Sequence, residues 1–342
     1  DMVPTSLSQI MEVACKLIFG LAIAWLLASQ GADLPTIAAG AIVGVTIGMG
    51  LAIPVMGIYA RKIARGDRGE TAFDTPKTIG QTAAEIVRVG LPITLGASAM
   101  TLITLVDSTL VMRTLQDGAG FSYQTAKDLF GVYSKALTLF NVPSAFISPV
   151  SVAVVPVIAA AIASRRFADA KSTVESSIKL TNLIALPAGV GMCVLSRPIF
   201  HALYPNSNEN GPMLLAILGI ASYFVCVYVI TNGVMQANGL EVISSMSLIA
   251  GGVIKIIANR ILVGIPALNI LGAPLGTLLC YVVISGVNVV VMSKKLPEKP
   301  NLIKITLRPA ICTAVMGAGA YAVYGLLEKL ALPRLGGGRL GI

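Results

Sequence analysis

The residues with chemistry to offer are few, and they stand where the chain is otherwise apolar. Asp107 lies in the apolar run 89–112, with Thr101, Thr104 and Ser108 on its face at helical spacing and with Pro92 and Gly96 earlier in the run. A carboxylate in hydrocarbon is costly, which makes it a functional candidate by default. Three uses are open to it: a proton or cation site, a partner for a buried lysine or arginine, or a solvated helix end beside Arg113. Asn141, Ser144, Ser148 and Ser151 follow at spacings of 3, 4 and 3, which lays one polar stripe down one helix face. Pro143, Pro149 and Pro156 interrupt the same segment, and each removes a backbone donor. Such a helix either lines a wet cavity or supplies interhelical hydrogen bonds.

Three lysines complete the candidate set. Lys16 and Lys255 lie inside apolar spans. They can face a cavity that takes an anion, pair with a carboxylate such as Glu12, or snorkel. Lys135, at the outer entrance of the Asn141 segment, is placed to meet a phosphate or to snorkel. Asp107, Thr104, Lys135, Asn141, Ser144, Ser148, Lys16 and Lys255 are therefore the residues expected to hold a ligand. Asn232 and Gln236 share a face suited to packing, and His201 falls in a loop.

No HExxH, GxSxG, Walker loop or catalytically spaced acid pair occurs, and there is one histidine in the chain. An enzyme, a metal site and a bound cofactor are not expected. The five cysteines (Cys15, Cys193, Cys226, Cys280 and Cys312) fall inside apolar runs without paired spacing, as small buried side chains do.

The elements that position these residues are set by composition. Apolar residues make up 55% of the 342, charged residues 12%, and the mean hydropathy is +0.83. A typical soluble chain carries about 25% charged residues. The chain is an all-α polytopic membrane protein, because the apolar runs are long and lack the alternation of a transmembrane β-barrel. Nine spans are expected, at 9–29, 35–60, 89–112, 136–163, 180–196, 211–237, 242–263, 272–292 and 308–327. Lysine and arginine number 15 on one side of these spans and 8 on the other, which puts the first side in the cytoplasm. The net charge of +9 reflects that bias and anionic lipid contact rather than a nucleic-acid partner.

An internal repeat sets the organisation. At an offset of 239, Val3, Ser6, Ser8, Ile10, Lys16 and Ile18 meet Val242, Ser245, Ser247, Ile249, Lys255 and Ile257. At an offset of 232, Gly40, Ala41 and Gly44 meet Gly272, Ala273 and Gly276. Six spans separate the partners, so the copies run parallel, as in transporters built from two six-helix lobes. The expected domains are then 1–60, the last two helices of a first lobe, and 61–88, a cytoplasmic linker with an amphipathic helix. A complete six-helix lobe over 89–297 and an additional helix and tail over 298–342 follow. About four helices are expected before Asp1.

The run Met2-Val3-Pro4-Thr5-Ser6-Leu7-Ser8-Gln9-Ile10-Met11-Glu12 resembles the fifth helix of polysaccharide and lipid-linked oligosaccharide flippases of the MOP superfamily. The similarity is strongest to the stage V sporulation protein B and MurJ-like branch. Gly90 to Ser108 resembles that family's seventh helix with its Asp, Phe140 to Pro156 its eighth, and Met235-Gln236-Ala237-Asn238-Gly239 the turn closing its tenth. The resemblance implies about fourteen helices in two lobes of a MATE-like fold in the bacterial plasma membrane. It also implies a monomer that flips a polyprenyl-diphosphate-linked saccharide by alternating access, with basic residues holding the diphosphate. MurJ-type lipid II flippases place an arginine four residues before the proline matching Pro143. Leu139 stands there in this chain, with Lys135 one turn away, which shifts the expectation toward a spore-cortex or capsule precursor. The alternative on the same fold is a cation-coupled multidrug or metabolite exporter. An acidic, aromatic-lined cavity would favour it, and 6% aromatics argue against it.

Overall fold

The computed structural model describes residues 3–50, 54, 57, 61, 80–84, 87, 105, 108–205, 207–296 and 298–331. The described helices with both ends defined are α1 (Val3–Ser29), α2 (Leu34–Gly50), α3 (Tyr123–Ala163), α4 (Phe167–Val194), α5 (Ser196–Leu203), α6 (Gly211–Ala237), α7 (Glu241–Leu262), α8 (Gly272–Lys295) and α9 (Leu302–Ala331). A helical segment over 108–117 precedes α3, and no strand occurs among the described residues. Seven of these helices are long and apolar enough to cross a membrane, and α2 is apolar with 17 residues. The chain is a multi-pass membrane protein. Most of the expected third span, and residues 62–79 of the expected linker, lie outside the described residues.

Two helices extend well beyond their expected spans. α3 starts at Tyr123 instead of 136, and α4 at Phe167 instead of 180. Lys127 and Asp128 depress the local hydropathy of α3, yet Ala126, Leu129, Val132 and Tyr133 bury one face of the same turns. In α4, Asp169, Lys171 and Lys179 occupy the sequence between the buried Ala170, Val174 and Ile178. Amphipathic burial, invisible to a hydropathy window, continues both helices. Ser122 caps α3 by accepting a hydrogen bond from the Thr125 amide at 3.2 Å. Pro143, Pro149 and Pro156 all lie inside one continuous helix of 41 residues, roughly 60 Å long at 1.5 Å per residue.

The chain divides into two compact units, Asp1–Ala84 and Glu85–Ile342. In the second, α6 is the hub. It packs on α3, α4, α5 and α8, while α7 joins through α8 and α9 through α4. The sequence explains its place, since no charged residue occurs from Gly211 to Ala237. Helices in lipid gain nothing from hiding apolar surface from one another, so close approach at small residues decides their packing. At the α4–α6 crossing a Cβ on Gly189 would stand 2.7 Å from the Gly219 carbonyl, and one on Gly219 would stand 2.8 Å from the Gly189 carbonyl.

The additional helix α9 is tied to α4 by polar contacts. The Asn182 amide donates to Thr306 Oγ1 at 2.9 Å and accepts from the Tyr223 hydroxyl at 3.3 Å. Glu175 accepts from the Asn301 amide at 2.9 Å, and Lys171 pairs with Glu298 at 3.7 Å.

The repeat has a structural counterpart. In α2 a Cβ on Gly44 would run into the backbone of Phe19 and stand 2.8 Å from Gly20 Cα, while one on Gly40 would lie 3.2 Å from the Ile23 side chain. The offsets carry Gly20, Ile23, Gly40 and Gly44 onto Asn259, Leu262, Gly272 and Gly276. In the α7–α8 pair a Cβ on Gly276 would overlap the Asn259 side chain, and one on Gly272 would stand 2.5 Å from the Leu262 backbone. The two helix pairs therefore cross in the same register.

Candidate functional site

The outward face of α3 carries most of the described candidates. Asn141 and Ser148 are exposed, and Ser144 is half-buried. Asn141 Nδ2 donates to the Leu137 carbonyl at 3.0 Å, and Ser144 Oγ donates to the Asn141 carbonyl at 2.8 Å. Both bonds fold the side chains back onto the carbonyls of their own helix, as polar residues in an apolar helix do. Ser151, expected on the same stripe, turns inward. It is buried and donates to the Val229 carbonyl of α6 at 2.8 Å. The stripe is thus split into two exposed residues, one half-buried residue and one that joins helices.

Lys135, two turns before Asn141, is half-buried with its Nζ 5.4 Å from the centre of the Tyr204 ring. The ring itself leans on Phe200, with centroids 5.2 Å apart. The aromatic face holds the ammonium through its quadrupole. Asp107 and Thr104 lie outside the described residues. Of their neighbours, Ser108 Oγ donates to the Leu105 carbonyl at 2.9 Å.

Lys255 sits on the buried side of α7, in line with Gly251 and Asn259, and is half-buried. Gly251 abuts Ile284 and the Cys280 carbonyl of α8, and Asn259 abuts Gly276. Lys255 lies between them on α7, on the stretch that packs against the turns of α8 carrying Gly276, Cys280 and Ile284. Tyr281 contacts Phe140 of α3 and Tyr228 of α6, with ring centroids 6.2 and 6.1 Å apart. One turn earlier, the buried Tyr133 hydroxyl pairs with Thr277 Oγ1 at 3.2 Å. α8 thus touches both the helix that carries Lys255 and the helix that carries Asn141. Periodicity gave no pointer to Tyr133, Thr277 or Tyr281, because single aromatic and hydroxyl residues in an apolar helix are indistinguishable from packing.

Lys16, the repeat partner of Lys255, forms an ion pair with Glu12 one turn away, each side chain about two-thirds buried. At the position equivalent to Glu12 the second copy has Gly251. Removing one half of a poorly solvated pair strands the other charge. Lys16→Met is therefore expected to lower the melting temperature in detergent more than the double variant Lys16→Met/Glu12→Gln. A double variant at least as unstable as the single one would show that the pair does not govern this site.

A second polar group, unmarked by any motif, lies between α6, α7 and α8. Ser244 Oγ donates to Asn232 Oδ1 and Ser247 Oγ to Asn288 Oδ1, both at 2.7 Å, and Asn288 Nδ2 reaches Ser244 at 3.3 Å. Ser244, Ser247 and Asn288 are all buried. Asn232 thus serves helix packing, as its sequence context suggests. Among the described residues no group of three His, Cys, Asp or Glu is placed to hold a metal.

The family model for lipid II flippase MurJ matches residues 6–332. The chain belongs to the MurJ family. Leu139 is packed against the apolar core next to Phe140. The uncharacterized membrane protein YabM of Bacillus subtilis is 25% identical over 338 residues, 99% of this chain. Membrane protein MJ1375 of Methanocaldococcus jannaschii, also uncharacterized, is 27% identical over 57% of the chain. The alignments span 62% of the first relative's length and 42% of the second's. An outward-facing multidrug resistance MATE transporter of the MOP superfamily superposes with a TM-score of 0.60 at 15% identity, covering 89% of this chain and 62% of its own. A second MATE crystal structure gives 0.58 at 15% identity, covering 89% and 77%. The MurJ-family chain thus has the two-lobed transporter fold of the MOP superfamily as its fold neighbour.

Proposed function

We propose that this chain is part of a carrier that flips a polyprenyl-diphosphate-linked saccharide across the bacterial plasma membrane by alternating access. The observation that carries the proposal is the family match over residues 6–332. The arrangement of polar groups agrees with it. Lys255 and Lys135 supply fixed positive charge for a diphosphate, and Asn141, Ser144 and Ser148 offer a row of neutral donors and acceptors for sugar hydroxyls, exposed at Asn141 and Ser148. Asp107 and Thr104 contribute from the third span, and Lys16 enters when it parts from Glu12. Such charges offset the anion in a poorly solvated site, while the polyprenyl tail stays in lipid. The membrane potential supplies about 2.3 kcal/mol per unit charge per 100 mV for net movement of the anion. The expected domain plan is part of the proposal: the last two helices of one lobe, a linker over 61–88, a six-helix lobe over 89–297 and an appended helix.

Binding measurements on the purified full-length protein test this directly. Polyprenyl diphosphates are expected to bind and to be flipped in proteoliposomes, and organic cations to do neither. Selective binding and export of organic cations would overturn the proposal in favour of a multidrug exporter. Turnover of a polyprenyl-linked sugar by the protein alone would replace it with an enzyme.

A further inference from the structure

We infer that Tyr204 is a positioning residue for Lys135, its ring face holding the ammonium while leaving the charge open to an anion. The inference rests on the proposed contact between Lys135 and a diphosphate and names the device that keeps the lysine ready for it. A lysine head group is a strongly hydrated point charge on a flexible stem. At the end of an apolar span that stem lets the head group swing toward water. It keeps one position only if its surroundings impose it.

For Lys135 the observed restraint is aromatic. Its Nζ stands 5.4 Å from the centre of the Tyr204 ring, within the range of about 6 Å over which an aromatic face attracts a cation. Among the described residues no carboxylate lies within ion-pair distance of it. Asp128, two turns back along α3, is exposed and accepts from Gln124 Nε2 at 3.4 Å. The Tyr204 ring is a fixed object, because both its backbone and its neighbour are held. Tyr204 follows the last residue of α5, where its amide donates to the Phe200 carbonyl at 2.8 Å and its carbonyl accepts from the Ser207 amide at 3.1 Å. Its ring leans on Phe200 with centroids 5.2 Å apart, and Phe200 is fully buried. Phe200 in turn fits against the start of α6 because Gly211 has no side chain, since a Cβ there would overlap the Phe200 ring. Lys135 comes from α3, so the contact joins two elements far apart in sequence. Lys16 shows the other way to restrain such a lysine. Glu12 pairs with it and cancels its charge, whereas a ring quadrupole attracts the ammonium and adds no net charge. The half-buried Lys135 thus keeps its full positive charge in a defined place.

The test is binding of farnesyl diphosphate to the full-length protein in lipid nanodiscs, read by calorimetry, with thermal melting alongside. Tyr204→Leu keeps apolar bulk and removes the aromatic face. It is expected to weaken binding about fivefold to tenfold, the size of a partly desolvated cation–π contact. Tyr204→Phe, which keeps the face and lacks the hydroxyl, is expected to restore binding. In the Lys135→Met background Tyr204→Leu is expected to have no further effect. A residue that merely packed α5 would behave otherwise, since its loss would lower the melting temperature and weaken binding equally with or without Lys135. Additive losses in the double variant, undiminished binding by Tyr204→Leu, or Tyr204→Phe as weak as Tyr204→Leu would each overturn the positioning role. If Tyr204→Leu does not fold, Tyr204→Met is read in its place against the same outcomes. Unchanged binding in Lys135→Met alone would remove Lys135 as the anion contact, and the role of Tyr204 with it. No binding by the unsubstituted protein would strike the proposed substrate class itself, a failure distinct from an uncoupled pair in a protein that binds.

Discussion

Gly44→Ala in α2 is expected to destabilise the α1–α2 pair by about 1–3 kcal/mol, the usual cost of overpacking. Gly20→Ala, on the other side of the same crossing, is expected to be neutral or stabilising. Both positions are helical glycines on touching faces, so helix propensity favours alanine at each by about 1 kcal/mol. What separates them is the object each new methyl would meet. A Cβ at Gly44 runs into the Phe19 carbonyl and stands 2.8 Å from Gly20 Cα. Those are backbone atoms of a packed helix, and only moving the whole helix relieves the clash. A Cβ at Gly20 would lie 3.3 Å from a methyl of Val45, which a small side-chain adjustment absorbs. With total stabilities of about 5–15 kcal/mol, the Gly44 variant forfeits a large share, and melting in detergent measures it. Equal melting temperatures for the two variants would show that the pair does not cross at this notch.

Asp107→Asn is expected to lower flipping in proteoliposomes by at least about tenfold while the protein still folds and inserts. The substitution preserves size and most hydrogen bonding, and it removes the negative charge. A carboxylate inside an apolar span costs free energy in every state in which it is charged. Its presence in the Thr101–Ser108 face is explained if the charge is used during transport, as a proton or cation site or as a countercharge. Full complementation of a flippase-deficient strain by the Asn variant would remove Asp107 from the mechanism. Loss of expression or melting cooperativity would reassign it to folding.

How far the sequence reaches is visible in particular residues. The Lys16–Glu12 pair was available from spacing alone, since i and i+4 share a helix face wherever the helix packs. The register of the repeat was also available. The offsets that align Gly44 with Gly276 and Gly20 with Asn259 also match the contacts these residues make in the two helix pairs. Ser151 was not available. Its spacing is that of the polar stripe, and only the proximity of α6 at Val229 and Gly233 shows that it faces a neighbour. The helical extensions over 123–135 and 167–179 were missed for a related reason. Their charges are solvated on one face while the other is buried, and an averaged hydropathy cannot separate the two.

The sequence by itself determined that this chain is a bundle of membrane-crossing helices, which stretches form them, and which two pairs repeat. In lipid each helix satisfies its own backbone hydrogen bonds, so span formation is a local property of composition. The tertiary structure alone decided that Tyr133, Phe140, Tyr228, Thr277 and Tyr281 gather between α3, α6 and α8, and that Asn288 closes a network with Ser244 and Ser247. Helix faces in a bilayer are sorted by close packing and polar matches between distant segments, and no periodicity within a single helix encodes its partner.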